Sequence, residues 1–93
     1  MKNYLKGIKV RNMESSRGND IPNQFIITTS DATIFQSYYS VIAIRANGTV
    51  YLDKNKWDYS VTTGKYRNQF LGETKKETQV KIDSGKYKLV NLN

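Results

Sequence analysis

The stretch FIITTSDATIFQSYYSVIAIRANGTVYLD, residues 25–53, carries the strongest structural signal in the chain. Its first half contains two runs rich in β-branched and aromatic residues, 25–29 and 33–38, which flank the turn-forming residues 30–32. Runs of this composition on either side of a short polar turn are typical of a β-hairpin. The first half therefore predicts two antiparallel strands.

The second half of this stretch predicts another hairpin. Runs 41–45 and 49–53 are apolar, and Asn47 and Gly48 lie between them. Asn-Gly between apolar runs is a strong hairpin signal because both residues tolerate positive φ. Four consecutive strands predict a meander with one buried face.

The N-terminal segment has a weaker pattern. Ile8 and Val10 alternate with basic residues, which predicts a short strand at an edge of the sheet. Residues 13–22 are polar and end near the only proline, so they are predicted to form a loop. We expect a single domain over residues 1–93, with residues 1–22 as a loosely ordered N-terminal segment.

The C-terminal third predicts a helix and a last strand. Thr74 and Glu77 match a capping box, in which the threonine caps the helix and the glutamate reaches back to the cap. A helix over 75–84 is expected, ended by Gly85, with a strand over 87–92. The patterns together predict an α+β fold: an antiparallel meander of about five strands with one short helix in the C-terminal half.

The sequence of residues 57–73, between these regions, does not indicate a single type of secondary structure. Residues 57–59 fit an extension of the preceding strand, and residues 65–71 fit a short helix begun at Thr62 or Thr63. The segment combines four aromatic residues with two cations. Aromatic and cationic side chains together dominate contact surfaces with proteins and nucleic acids.

Four residues of this segment are the candidate partner-binding residues: Tyr59, Lys65, Tyr66 and Arg67. We expect them to face solvent, where the rings stack and the guanidinium forms bidentate hydrogen bonds. Trp57 and Phe70 are expected to be core residues instead, since a small domain rarely exposes its only tryptophan.

Composition limits the chemistry that the chain can perform. The chain has no cysteine and no histidine, which removes thiolate metal sites and the commonest general base. Asp53 and Asp58 are the nearest candidates for a metal or acid–base pair, but both stand where turns often carry aspartate. Gly64-Lys65 is not a P-loop, because Tyr59 stands where the first glycine is required. We therefore expect no enzymatic activity, no catalytic residue, no metal and no cofactor.

The charge is positive and uneven. The net charge is +7, and residues 54–93 contain nine Lys and Arg against four Asp and Glu. This balance favours acidic partners, either nucleic acid or an acidic protein surface, although a lysine-rich surface kept for solubility explains it equally well. No apolar run is long enough to span a bilayer, so we expect a cytoplasmic protein without a membrane partner.

Seven short segments together form a specific pattern: residues 23–29, 35–38, 50–53, 57–60, 62–68, 70–73 and 81–85. Over about residues 23–92 this pattern resembles a family of small proteins of unknown function carried by bacteriophages and prophages. The resemblance leaves residues 1–22 outside and implies no catalytic residue or substrate. It implies a small accessory protein that acts in the cytoplasm of the host cell.

Three functions fit these observations. The first is a stoichiometric inhibitor of a host defence effector, of the anti-CRISPR kind, whose partner is a host protein or nucleoprotein complex. The second is a basic accessory protein that binds nucleic acid. The third is a virion or morphogenesis component that self-associates through a sheet edge.

Overall fold

The computed structural model describes residues 7–93 and arranges them in two layers, a six-stranded sheet and two helices. The elements in chain order are β1 Lys9–Glu14, β2 Asp20–Thr28, β3 Ala32–Ser37, β4 Ser40–Ala46, β5 Thr49–Asp53, α1 Val61–Leu71, α2 Lys75–Asp83 and β6 Tyr87–Val90. The strands lie in the sheet in the order of the sequence. The predicted α+β meander is confirmed, with six strands where about five were expected, and the short helix that the sequence allowed over 65–71 is present as α1 beside the expected helix α2.

The last strand differs in direction from the others. Neighbours from β1 to β5 are antiparallel, whereas β6 runs parallel to β5. The reason is the connection, because the two helices return the chain to the end of the sheet at which β5 began. The sheet is therefore mixed, and the expectation of an all-antiparallel sheet is wrong at this edge.

The N-terminal segment contributes more structure than the sequence predicts. The predicted edge strand is confirmed, but β1 extends to Glu14 and β2 begins at Asp20, so the predicted loop over 13–22 shrinks to residues 15–19. Met13 and Ile21 are buried in the core, which explains why the strands continue. Residues 1–6 of the predicted loosely ordered segment lie outside the described residues, and its degree of order stays a prediction.

The helices cover one face of the sheet, where the core lies. Phe35 is fully buried on this face and stacks on Phe70 of α1, with 5.7 Å between the ring centres. Thr63 of α1 is hydrogen-bonded to Ser37 of β3 at 3.1 Å. Trp57 and Phe70 pack against the core while partly exposed, in line with the expectation that they are core rings.

Helix α1 begins earlier than the sequence predicts. Ser60 caps it, with its hydroxyl oxygen accepting the backbone N–H of Thr63 at 3.1 Å. Residues 54–59 form turns, so no strand extension exists at Trp57. The helix ends at Gly72, whose positive φ of 68° is the left-handed conformation that closes many helices.

Helix α2 confirms the predicted capping box. The Thr74 hydroxyl accepts the backbone N–H of Glu77 at 3.2 Å, and the Glu77 carboxylate accepts the backbone N–H of Thr74 at 3.1 Å. The helix ends at Asp83, and Gly85 follows with a φ of 81°. The prediction from the sequence is accurate here to one residue.

A buried carboxylate ties α2 to the sheet. The side chain of Glu73, between the helices, is 4% exposed. It accepts hydrogen bonds from Lys81 Nζ at 2.6 Å, the Tyr87 hydroxyl at 2.7 Å and the Thr78 hydroxyl at 2.5 Å. One group therefore joins the interhelical turn, α2 and β6.

Candidate partner-binding groove

A groove of about 620 Å³ lies along the N-terminal half of α1, and we call it the α1 groove. Its walls come from the turn before α1, from α1 itself and from the start of α2. The lining residues are Asp58, Tyr59, Ser60, Val61, Gly64, Lys65, Arg67, Asn68 and Lys75. Three of the four predicted partner-binding residues, Tyr59, Lys65 and Arg67, therefore lie together.

Arg67 lies in the floor of the groove and not on the surface. Its side chain is 1% exposed, and its guanidinium donates hydrogen bonds to the Trp57 carbonyl oxygen and to the side-chain oxygens of Asp58 and Asn68. The expectation that Arg67 faces solvent is wrong. The guanidinium supplies charge to the groove while its main contacts are with its own chain.

Gly64 lies next to this arrangement. A Cβ atom on Gly64 would lie 3.6 Å from Nη1 and Nη2 of Arg67 and 3.8 Å from Oδ1 of Asp58. These are ordinary contact distances, so the arrangement of Arg67 and Asp58 also leaves space for an alanine at this position.

Asp58 is the only carboxylate in the lining, and two cations pair with it. Lys75 Nζ lies 2.7 Å from Oδ2, and Arg67 Nη1 lies 3.3 Å from Oδ1. Burial raises the pKa of Asp58, but the hydrogen bonds from Lys75 and Arg67 outweigh it and hold the pKa below its usual value. With Lys65 added, three cations face one carboxylate, so the groove is net positive.

The rim of the groove presents exposed apolar and aromatic surface. Tyr59 is 48% exposed, and Lys56 Nζ lies 5.2 Å from its ring centre. Val61 begins α1 and is 92% exposed. Cationic groups beside exposed rings and apolar side chains are a composition typical of contact surfaces.

Tyr66 is the one predicted site residue outside the lining. It is half-buried and packs against the core, with Lys65 Nζ 5.3 Å from its ring centre. A helix turns by about 100° per residue, so neighbours in sequence face different directions. Tyr66 therefore packs towards the core, whereas Lys65 lines the groove.

The sequence also missed five lining residues, Ser60, Val61, Gly64, Asn68 and Lys75, and it considered Asp58 only for a metal or acid–base pair. The spacing of Gly64 and Asn68, four residues apart, is the one signal that could have found part of the site, because such residues share a helix face. A helix begun at Thr62 or Thr63, as the sequence allows, already contains both residues.

The suspected carboxylate pair does not form a site. Asp53 is 1% exposed and accepts the backbone N–H groups of Leu92 and Asn55, at 2.8 and 3.2 Å. Asp58 belongs to the separate network with Lys75 and Arg67. Within residues 7–93, no group of three or more His, Cys, Asp or Glu side chains has the arrangement of a metal site.

The chain belongs to the family of unknown function DUF8033, which it matches over residues 8–86. This confirms that the chain is a member of a family without assigned function. The match begins at residue 8, so the expectation that all of residues 1–22 lie outside the family is wrong for residues 8–22. No curated protein and no solved structure matches the chain.

Neither helix in residues 7–93 is long and apolar enough to cross a membrane.

Proposed function

We propose that this protein is a non-enzymatic binding protein that recognises an acidic surface of a partner protein through the α1 groove. The observation that carries the proposal is the composition of the groove, in which Lys65, Lys75 and Arg67 face one carboxylate beside the exposed Tyr59. An acidic segment placed there meets an excess of positive charge and an aromatic ring at the rim.

The state of Asp58 favours binding over catalysis. Its carboxylate is held ionised by two cations, and its lowered pKa makes it a poor proton donor near neutral pH. Arg67 is fixed by contacts with its own chain and is 1% exposed, so it contributes positive charge from beneath the groove, while Lys65 and Lys75 are the cations exposed for direct contact.

The finer form of the proposal concerns the partner. The partner is a host protein or nucleoprotein complex that acts in defence, and this protein blocks it by stoichiometric contact in the host cytoplasm. The support is the resemblance of the sequence to small phage and prophage proteins and the small size of the domain. The positive charge argues against mimicry of DNA and favours contact with acidic protein surface.

The experiment is affinity capture from host lysate, with and without nuclease, using wild type and two matched pairs of variants. Lys65→Glu and Tyr59→Ala change the groove. Lys86→Glu and Tyr39→Ala change an exposed lysine and a 97% exposed tyrosine outside the groove lining. We expect one host complex to be retained after nuclease treatment and to be lost only with the groove variants. Equal loss with the control variants would overturn the groove as the site.

Inhibition is tested separately on the captured complex. We expect its activity to fall in proportion to added protein and to reach a minimum near equimolar ratio. If the complex binds this protein but keeps its full activity, the binding proposal stands and the inhibitor proposal is wrong.

Nucleic-acid binding is the second candidate, and one observation favours it. Two lysines lie over tyrosine rings at the groove and beside it, Lys56 with Tyr59 and Lys65 with Tyr66. Ring faces and cations together bind single strands by stacking and by charge. If the protein binds nucleic acid, capture is lost after nuclease treatment. The affinity for nucleic acid also falls steeply with added salt, because binding releases counterions from the phosphates.

A further inference from the structure

A second pocket lies between the C-terminal end of α1 and the sheet, and we call it the β1–α1 pocket. Its volume is about 290 Å³, close to the lower end of the range for small-molecule sites, about 300 Å³. None of its residues lines the α1 groove, so the two cavities are separate. The lining residues are Arg11, Met13, Glu14, Ile26, Thr33, Arg45, Gln69 and Phe70.

Strand pairing explains why polar and cationic side chains meet at this pocket. Arg11 pairs with Ile26, and Ile26 pairs with Phe35, so all three belong to one row on the helix-covered face of the sheet. Because side chains two residues apart on a strand share a face, the next row lies on the same face. This row contains Lys9, Thr28, Thr33 and Arg45. All of them except Thr33 are exposed, so the helices leave this part of the face uncovered.

Two hydrogen bonds from the end of α1 fix the walls of the pocket. Gln69 Nε2 donates to the main-chain oxygen of Glu14 at 2.7 Å, which joins α1 to β1. Arg45 Nη2 donates to the Phe70 carbonyl oxygen at 3.1 Å, and its guanidinium lies 5.0 Å from the centre of the Phe70 ring. The last carbonyls of a helix have no partner within it, so Arg45 satisfies one of them. The pocket is therefore formed before any ligand binds.

The cations of the pocket are available for a ligand. Arg11 and Arg45 line it against one carboxylate, that of Glu14, and Lys9 stands about 6.8 Å from Arg11 along the same face of β1. The ion pairs found within residues 7–93 involve none of these side chains. A guanidinium has several N–H groups, so the bond from Arg45 to Phe70 leaves others for a ligand.

We propose that the β1–α1 pocket binds a phosphate group. Hydrogen-bond donors come from three strands: the guanidinium of Arg11 on β1, the hydroxyl of Thr33 on β3 and the guanidinium of Arg45 on β4. A planar carboxylate is satisfied by one guanidinium fork, whereas a tetrahedral phosphate accepts hydrogen bonds from several sides. The pocket also has an apolar part that suits the organic portion of a phosphate ester, and it consists of Met13, Ile26 and Phe70.

The first test is an NMR titration of the ¹⁵N-labelled protein at constant ionic strength. The probes are glycerol 3-phosphate, inorganic phosphate and glutarate, a dicarboxylate of similar charge. We expect the phosphates to shift the amide signals of Thr33, Arg45 and Gln69 and to bind more tightly than glutarate. Shifts confined to the α1 groove, at Gly64 and Lys65, or equal affinity for glutarate would overturn the proposal.

The two phosphate probes distinguish the source of the phosphate group. Tighter binding of glycerol 3-phosphate than of inorganic phosphate would identify an organic phosphate as the ligand, since the apolar part of the pocket then contributes. Equal binding of the two would identify free phosphate. Both results support the site, because each requires the phosphate group to bind there.

The second test removes donors one at a time and repeats the titration with glycerol 3-phosphate. Arg11→Ala is expected to weaken binding about tenfold and Thr33→Val about threefold, since each loses a hydrogen bond to the ligand. They are preferred to Arg45→Ala, because Arg45 also holds the end of α1. The control Arg17→Ala removes the same charge from the exposed β1–β2 turn and should leave the affinity nearly unchanged. Equal losses for Arg11→Ala and Arg17→Ala would contradict the proposal.

Discussion

The guanidinium of Arg67 lies 5.1 Å from the centre of the Trp57 ring and donates a hydrogen bond to the Trp57 carbonyl oxygen. One side chain therefore fixes the turn before α1 through both a cation–π contact and a backbone hydrogen bond. The same side chain forms part of the groove floor, so the stability of the turn and the shape of the groove depend on a common residue.

Arg67→Ala is expected to lower the free energy of unfolding by about 2–4 kcal/mol, since the Trp57 carbonyl and the Asn68 side chain lose their buried partner. Urea unfolding measures the difference. Arg17→Ala, an exposed arginine in the β1–β2 turn, is the control and should change it by less than about 0.5 kcal/mol. Similar small losses for the two variants would show that the Arg67 contacts contribute little.

Gly64→Ala is expected to stabilise the protein and to weaken partner binding. The new methyl group meets Arg67 and Asp58 at ordinary contact distances, and alanine favours the helix by about 0.5–1 kcal/mol over glycine. The methyl group also occupies the floor of the groove. We expect a higher melting temperature in calorimetry together with weaker partner capture. A variant with unchanged capture would indicate that the partner does not enter the groove.

Glu73→Gln is expected to destabilise the protein at neutral pH and to have little effect in acid. Burial raises the pKa of Glu73. Hydrogen bonds from Lys81, Thr78 and Tyr87 lower the pKa by a larger amount, so it lies below its usual value. Such a group stabilises the fold above its unfolded pKa, about 4.3, and this contribution is lost as the pH falls through the folded pKa.

The loss at pH 7 is expected to be about 1–2 kcal/mol, from the hydrogen bonds that the buried carboxylate accepts. Unfolding curves of wild type and variant between neutral and acid pH measure it. Asp31→Asn, at an exposed turn, is the control, and its unfolding curves should follow those of wild type throughout this pH range. If the difference in free energy of unfolding between wild type and Glu73→Gln stayed constant into acid, the ionised Glu73 carboxylate would not be the stabilising group.

Thr74→Ala removes the side-chain cap of α2 and is expected to cost about 1 kcal/mol in free energy of unfolding. Thr62→Ala is a suitable control, because Thr62 is an exposed threonine within α1 and no hydrogen bond of its side chain is seen among residues 7–93. Equal effects of the two substitutions would mean that the cap is not a stabilising contact.

The meander could be predicted because its signals are local. Each hairpin combines apolar runs with its own turn chemistry, and Asn47 and Gly48 do adopt the positive φ values of 52° and 74° that the turn requires. Helix α2 was predictable for the same reason, since Thr74 and Glu77 stand three residues apart. The parallel placement of β6 was not, because it depends on the path through both helices.

Helix α1 was only half predictable because its sequence is a poor helix former. Val61, Thr62, Thr63 and Gly64 all disfavour a helix relative to alanine. Tertiary contacts compensate, through the Thr63–Ser37 hydrogen bond and the stacking of Phe70 on Phe35. The burial of Arg67 follows from this helix, and so no pattern in the sequence could separate it from the exposed Lys65.

The most direct test of the binding account is the affinity of the captured partner for two charge-reversal variants, measured at several salt concentrations. We expect Lys65→Glu in the groove to weaken binding at least about tenfold, or 1.4 kcal/mol, and Lys86→Glu outside the groove lining to weaken it far less. Higher salt should narrow the difference, since it screens charge. Equal losses for the two lysines would contradict the α1 groove as the site of recognition.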